Sequence, residues 1–393
     1  MPDPAVPLVE DEPRADFQAL SWSPSSRALA YVRHDGRLDF IEISPVGELV
    51  RSKIDTAERV IDVWVKNDNE LVYTTLDFMT SLATLVLATR SDGTWSTYPL
   101  GSTTSFDRYH SPDLTFVDFI TRNQMTGLST YWVVETKNGS EPIAVTDPAQ
   151  DVGISWSPDG SQFIVAATDA TNATALHAGP VSNLSSPPLL KQDLGLRATR
   201  ADSERGWAPD SSRAALFQKG TFDRQLAMYE VGQGELWHPL PRQGCESHVW
   251  SPNSKLLAIH TRSAADAKPT LTLVESPGYA LRDIATAPLE AATSVDWGVP
   301  RFSADSGFLV YQVVAKKFYI DLRSGLEAAA DPIELPGGID GRHSFSTSGA
   351  GLVYVKDDKD CVYLNLSSKT PSTAIRVNDM GAVQDCGFQP LLP

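Results

Sequence analysis

The stretch Ile154-Ser155-Trp156-Ser157-Pro158-Asp159-Gly160, followed by the apolar run Phe163-Ile-Val165, decides the fold. It couples a short strand ending in an aromatic to a Pro-Asp-Gly reversal and a second apolar strand. Pro fixes φ, and Asp-Gly supplies a tight turn. The phrase returns as Leu20-Ser-Trp-Ser-Pro24, Gly206-Trp-Ala-Pro-Asp210 and Val249-Trp-Ser-Pro-Asn253. Weaker copies are Tyr109-His-Ser-Pro-Asp113, which lacks the Trp, and Phe302-Ser-Ala-Asp305 and Phe345-Ser-Thr-Ser348, which lack the Pro. The aromatics Trp22, Trp64, Tyr109, Trp156, Trp207, Trp250, Phe302 and Phe345 lie 42, 45, 47, 51, 43, 52 and 43 residues apart. A repeat of this length, stretched by loop insertions, marks an array of supersecondary units.

Each copy continues in the same way. Second strands such as Ala28-Leu-Ala-Tyr-Val32, Phe308-Leu-Val-Tyr311 and Gly351-Leu-Val-Tyr354 are followed by third strands such as Tyr131-Trp-Val-Val134, Leu271-Thr-Leu-Val274 and Val362-Tyr-Leu-Asn365. Val, Ile, Tyr and Phe dominate these runs, and no long helical periodicity interrupts them, so the chain reads as all-β. A fourth strand is weakly marked, with Thr94-Trp-Ser-Thr-Tyr98 and Glu235-Leu-Trp-His238 as candidates. Four antiparallel strands per copy make the unit one blade of a β-propeller. Eight blades are expected, with seven the alternative if one weak copy is an insertion. Residues 16–393 then form a single propeller domain, and 1–15, acidic and proline-rich, a flexible arm. The segment Val383-Gln-Asp-Cys-Gly-Phe388-Gln-Pro390 resembles the start of a further copy and is a candidate for ring closure.

These repeats resemble the TolB-type propeller family from about Asp16 onward. The resemblance rests on the Trp-Ser-Pro-Asp-Gly turn, the apolar strand ending in Tyr or Val, and the later strand and turn Tyr131-Trp-Val-Val-Glu-Thr-Lys-Asn-Gly139. The related WD-type repeats share the architecture, but their Gly-His and Trp-Asp pairs are missing at the corresponding positions. The resemblance implies a non-catalytic scaffold for protein–protein interaction in the periplasm or outside the cell. A cytoplasmic location is the alternative.

Charge narrows the partners. Asp and Glu number 49 against 33 Lys and Arg, a net charge of −16. Such a surface repels phosphate backbones, which argues against nucleic acid and favours a protein partner with a basic surface. No apolar run reaches the ~18 residues needed for a transmembrane helix. The chain is expected as a monomer or as part of a hetero-complex. Three cysteines, Cys245, Cys361 and Cys386, leave room for one Cys361–Cys386 bridge or for buried thiols.

Catalytic signals are sparse. Gly153-Ile-Ser-Trp-Ser157 is a repeat turn rather than a nucleophile elbow, and Gly232-Gln-Gly234 is a hairpin turn rather than a dinucleotide fingerprint. His248 and His343 each stand two residues before a motif aromatic, so they are metal candidates or, in the simpler reading, histidines packed between blades. Asp357-Asp-Lys-Asp360 offers a weak calcium site without the spacing of a calcium loop. No other cofactor is expected. Trp95 and Trp237, on candidate outer strands, are the aromatic anchors to test for partner binding. A channel-sited lyase or hydrolase, or a sensor propeller binding a small molecule or glycan, are the alternatives to the scaffold. If the motif aromatics fill the wedges between blades, Trp156→Ala costs about 3–5 kcal/mol in a chemical denaturation experiment; an unchanged midpoint contradicts its burial.

Overall fold

The computed structural model describes residues 19–376 apart from 55, 57, 105–107, 172, 192–205, 220–223, 233–236, 240–244, 263–268, 287–299, 314–315, 327–330, 336–342, 347, 357–359, 367–369 and 372–374. The proposed arm and the 383–390 segment lie outside the described residues, as do Cys386 and the side chain of Cys361. Cys245 is a buried thiol.

Eight antiparallel sheets follow one another along the chain, each built from strands paired in sequence order. They occupy 19–54, 59–103, 108–144, 151–191, 213–239, 245–286, 301–334 and 343–376, here sheets 1 to 8. Six have four strands. In sheet 5 three strands are joined by a single bridge, Trp207 to Ala214, where a first strand would lie. In sheet 8 the fourth strand comes in two pieces, Thr370–Pro371 and Ile375–Arg376, both paired with Asp360–Asn365. The weakly marked fourth strands are real, at Thr94–Thr103 and Trp237–Pro239 among others. Most second and third strands run beyond their apolar centres. Glu70–Asp77, for example, extends four residues past Tyr73.

The chain falls into two compact units. One is Met1–Val152 with Pro180–Pro187, and the other is Gly153–Gly179 with Pro188–Pro393. In the first unit, Ala28, Val32 and Phe40 of sheet 1 pack on Val63, Leu71 and Tyr73 of sheet 2. The opposite face of sheet 2 offers Val72, Leu85 and Leu87 to Val117, Phe119 and Val134 of sheet 3. In the second unit, apolar layers likewise join sheets 4 to 5, 5 to 6, 6 to 7 and 7 to 8. A central strand therefore has two buried faces, which is why the second strands read as unbroken apolar runs rather than as alternation.

The motif serine holds the first turn of the repeat. Ser23, Ser111, Ser157, Ser251, Ser303 and Ser346 each accept, on Oγ, the N–H of the residue five positions later at 2.9–3.0 Å. Four of these hydroxyls donate in turn to the acidic or amide residue two positions on: Asp113, Asp159, Asn253 and Asp305, at 2.6–2.8 Å. Most are fully buried. Sheet 5 has Ala208 at this position and keeps only the backbone bonds of the turn.

The reversal itself is not generally made by Asp-Gly. Gly160 and Gly349 take positive φ, but the same position holds Ser26, Leu114, Ser211, Ser254 and Ser306 with φ between 55° and 60°. At three of these positions the serine hydroxyl is used. In the second unit, Ser211 accepts the N–H of Asp159, Ser254 that of Asp210, and Ser306 that of Asn253, at 2.9–3.1 Å. Each turn is thereby bonded to the turn of the next sheet.

The motif aromatics are not equally buried. Trp207 and Trp250 are 5% and 6% exposed, and Trp250 donates its indole N–H to the carbonyl of Gly206 at 2.9 Å. Trp64, Tyr109, Trp156, Phe302 and Phe345 are half-buried, and Trp22 is 45% exposed. The full cost of a large-to-small core change thus belongs to Trp207 and Trp250, and Trp156, with one side open, falls below it.

Ser254→Ala removes a hydrogen bond while keeping Cβ in the left-handed region, and should destabilise by ~1 kcal/mol. Ser254→Gly loses the same bond but relieves the backbone by about 1 kcal/mol, so it should be the milder change. Urea denaturation of the two variants checks this order, and Ser254→Ala as the milder one contradicts it.

Candidate functional site

Strand connectivity gives each sheet two edges. The first-to-second and third-to-fourth connections lie on one, the turn edge, and the second-to-third hairpin tips lie on the other, the tip edge.

On the turn edge the residue two after the motif serine points its carboxylate outward. In the second unit these are Asp159, Asp210 and Asp305, and in the first unit Asp113, all exposed. Asn253 fills the same place in sheet 6 with the same bonds, so the turn does not require a charge. Against a desolvation that raises it, hydrogen bonds from Ser157, Ser161 and Ser211 bring the Asp159 carboxyl down to about 2. Asp113 is lowered in the same way, against desolvation, by Thr115 and Ser111. Oxygens that accept local donors hold their negative charge while their remaining lone pairs face solvent.

On the tip edge of the first unit, Phe78 and Met79 in sheet 2 and Met125 in sheet 3 are exposed. Nothing in the repeat phrase points to them, because it covers the opposite edge. The sequence signal available is the pair Asp77-Phe-Met-Thr80 and Asn123-Gln-Met-Thr126, where an apolar side chain sits inside a polar turn.

His248, on the strand Cys245–Trp250, is buried at 3% exposure. It lies opposite Ile259 in register, on the face that carries Trp250 and Ile259 toward sheet 5. The backbone of His343 begins the strand His343–Phe345, and its side chain is outside the described residues. Among the described residues no group of three His, Cys, Asp or Glu is placed to hold a metal ion. The Asp357–Asp360 side chains also fall outside them.

Trp95 lies half-buried in the strand Thr94–Thr103. Its ring meets Phe40 edge-on at 5.0 Å, and its indole N–H donates to Ser52 Oγ at 3.3 Å, so it ties sheet 2 to sheet 1. Trp237 opens the strand Trp237–Pro239, and its side chain is not among those described.

His260, on Leu256–Arg262, is the one strongly shifted histidine among the described residues. Burial pushes it down to about 4, and its Nδ1 lies 3.2 Å from Ser247 Oγ. It is neutral in the fold.

No protein-family model matches the chain, and no curated protein matches it. Solved structures do. A crystal structure of the eukaryotic initiation factor aligns over 93% of this chain and 89% of its own, at 11% identity and a TM-score of 0.50. The Dos1 propeller aligns over 86% and 89%, at 10% identity and 0.42. TolB from Acinetobacter baumannii aligns over 80% of both chains, at 11% identity and 0.33. Of these three, the first superposes well enough to speak for the fold, and at such identities the likeness concerns fold alone. Eight successive antiparallel sheets complete the assignment. The fold is a β-propeller with eight blades. Its sheets are the blades, and the carboxylate turns and hairpin tips are the two kinds of loop it offers.

A buried neutral histidine makes the propeller acid-sensitive in a defined window. His260 takes up a proton near pH 6.5 when unfolded and only near pH 4 when folded, so its contribution is complete above ~6.5 and is lost as pH falls toward 4. Between pH 7 and pH 5 the wild type should lose ~2 kcal/mol more than His260→Gln by urea denaturation. Parallel pH profiles for the two proteins contradict this.

Proposed function

We propose that this chain is a non-catalytic propeller scaffold that binds a protein partner with a basic surface through the turn edge of its second unit. The carrying observation is the carboxylate repeated there at one turn position, in Asp159, Asp210 and Asp305. Asn253, Ser25 and Ser348 show that the turn closes without it. Charge that the fold does not demand, held on rigid hydrogen-bonded turns, costs little further ordering on binding. The chain's net charge of −16 supports the same polarity and speeds encounter with a cationic surface.

Among the described residues no helix is long and apolar enough to cross a membrane. The resemblance of the repeats to TolB-type propellers supports a working place in the periplasm or outside the cell, with the chain as a monomer or as part of a hetero-complex.

The test is affinity capture from envelope and cytosolic extracts of the source cells, with the wild type and with a variant carrying Asp159→Asn, Asp210→Asn and Asp305→Asn. Asn is the choice because sheet 6 already uses it. The expected result is a basic protein from the envelope extract, retained by the wild type and lost both from the variant and at high salt. Equal retention by both proteins, or release insensitive to salt, overturns the reading.

A further inference from the structure

The most exposed large apolar side chains among the described residues are Met125, at 96%, and Met79, at 94%; Phe78 beside Met79 is 62% exposed. The two methionines hold one structural position. Met79 donates its N–H to Oδ1 of Asp77 at 2.8 Å, and Met125 donates its own to Oδ1 of Asn123 at 2.9 Å. A threonine follows each. Thr80 donates its hydroxyl to Asp77, and the Thr126 N–H donates to Asn123. A left-handed residue closes each tip, Ser81 at φ 56° and Gly127 at φ 71°. Both tips are therefore pinned turns.

The turn has no need of methionine. At the equivalent place in sheet 4, Thr171 donates its N–H to Asp169 at 2.8 Å. Met228, in contrast, is fully buried in sheet 5. Two polar turns on successive sheets of the first unit thus display methionine where the fold is satisfied by threonine. Sheets 2 and 3 pack face to face, so their tips share one edge.

Two guanidiniums lie beside these side chains, while the one carboxylate of the turns, Asp77, has both oxygens engaged by its own turn, Oδ1 by the Met79 N–H and Oδ2 by the Thr80 hydroxyl. Arg59 lies over the Phe78 ring at 5.6 Å and donates to the carbonyl of His34 at 3.1 Å. Arg122 donates to the carbonyl of Gly127, beneath the Met125 turn, at 3.1 Å. Each guanidinium is met by a backbone carbonyl, and neither has a carboxylate partner among the described residues. Their remaining N–H groups are charged donors without an acid, next to apolar knobs on rigid turns. Methionine adapts to varied apolar side chains, and a guanidinium takes a carboxylate through charge-assisted bonds.

We propose that the hairpin tips of sheets 2 and 3 form a docking surface for an acidic amphipathic segment of a partner protein. Its apolar side chains cover Phe78, Met79 and Met125, and its carboxylates meet Arg59 and Arg122. The surface uses residues and charge unlike those of the turn carboxylates, so the chain carries two dissimilar ligands. The proposal stands apart from the turn-edge reading, because the two use different residues and partners of opposite charge.

The probe is a fluorescein-labelled peptide of about ten residues in which aspartate and glutamate alternate with leucine and phenylalanine, followed by fluorescence anisotropy against the full chain. A matched peptide with lysine for each acid is the control. Binding of the acidic peptide is expected, weakened at least ~10-fold by Met79→Ser with Met125→Ser and several-fold by Arg122→Gln. The Asp159→Asn, Asp210→Asn, Asp305→Asn variant should bind it as the wild type does, so failure of either surface shows separately. Should the serine pair melt below the wild type, Met79→Thr with Met125→Thr copies the sheet 4 turn and takes its place. Equal binding of the lysine peptide, no effect of the methionine changes, or no binding overturns the proposal. So does concentration-dependent self-association abolished by the same changes, since the surface would then belong to a second copy.

Discussion

A buried hydroxyl sets the register of this protein. In sheets 1, 3, 4, 6, 7 and 8 the motif serine takes the N–H of the residue that begins, or directly adjoins, the second strand. A one-residue slip would leave that N–H unpaired and turn every side chain of the strand to the wrong face. Both faces of the central strands are buried against neighbouring sheets, so such a slip would leave no surface free to absorb the error. The hydroxyl is thus a small interaction, about 1 kcal/mol net, placed where a mistake costs far more.

The same turns carry the bonds between sheets in the second unit. Serine at a left-handed position is a local cost, and the N–H it accepts from the neighbouring turn offsets it. Strain and contact are coupled there, which ties the turn edge into one hydrogen-bonded row over sheets 4 to 7. That row holds the carboxylates of Asp159, Asp210 and Asp305 outward without further ordering. The tip edge of the first unit is built by a different grammar, Asx turns with methionine at their exposed corner. The turns follow the repeat itself, while the hairpin tips of the first unit are read from it nowhere.

Much of the fold was legible. The spacing of the aromatics marked eight units, and the apolar runs marked their second and third strands, because burial on both faces leaves an unmistakable composition. The fourth strands were faint, since they are partly exposed and their residues need only pair. The motif aromatics were read as equal plugs. Trp250 meets that reading, with its indole N–H satisfied by Gly206, while Trp22 stands half open. Identical local phrases met different neighbours, and an aromatic in a repeat records the turn it precedes rather than the depth it reaches.

The candidate sites divide in the same way. His248 was visible as a residue type at a repeated position, but whether an imidazole lies open or between sheets is decided by the strand face it occupies, and here that face carries Trp250 and Ile259. Trp95 was singled out as an outer-strand aromatic, and its environment is Phe40 and Ser52 of the adjacent sheet. Met79 and Met125 left only a faint sequence trace, an apolar residue inside the polar turns Asp77–Thr80 and Asn123–Thr126, since a methionine is ordinary wherever it stands until its exposure is known. The sequence by itself determined the repeat, the all-β class, the turn chemistry and the acidic charge, because each rests on residues close along the chain. Which side chains are covered, which turns are bonded to their neighbours and that Arg59 lies over Phe78 were decided by tertiary structure alone, since those are contacts between segments far apart along the chain.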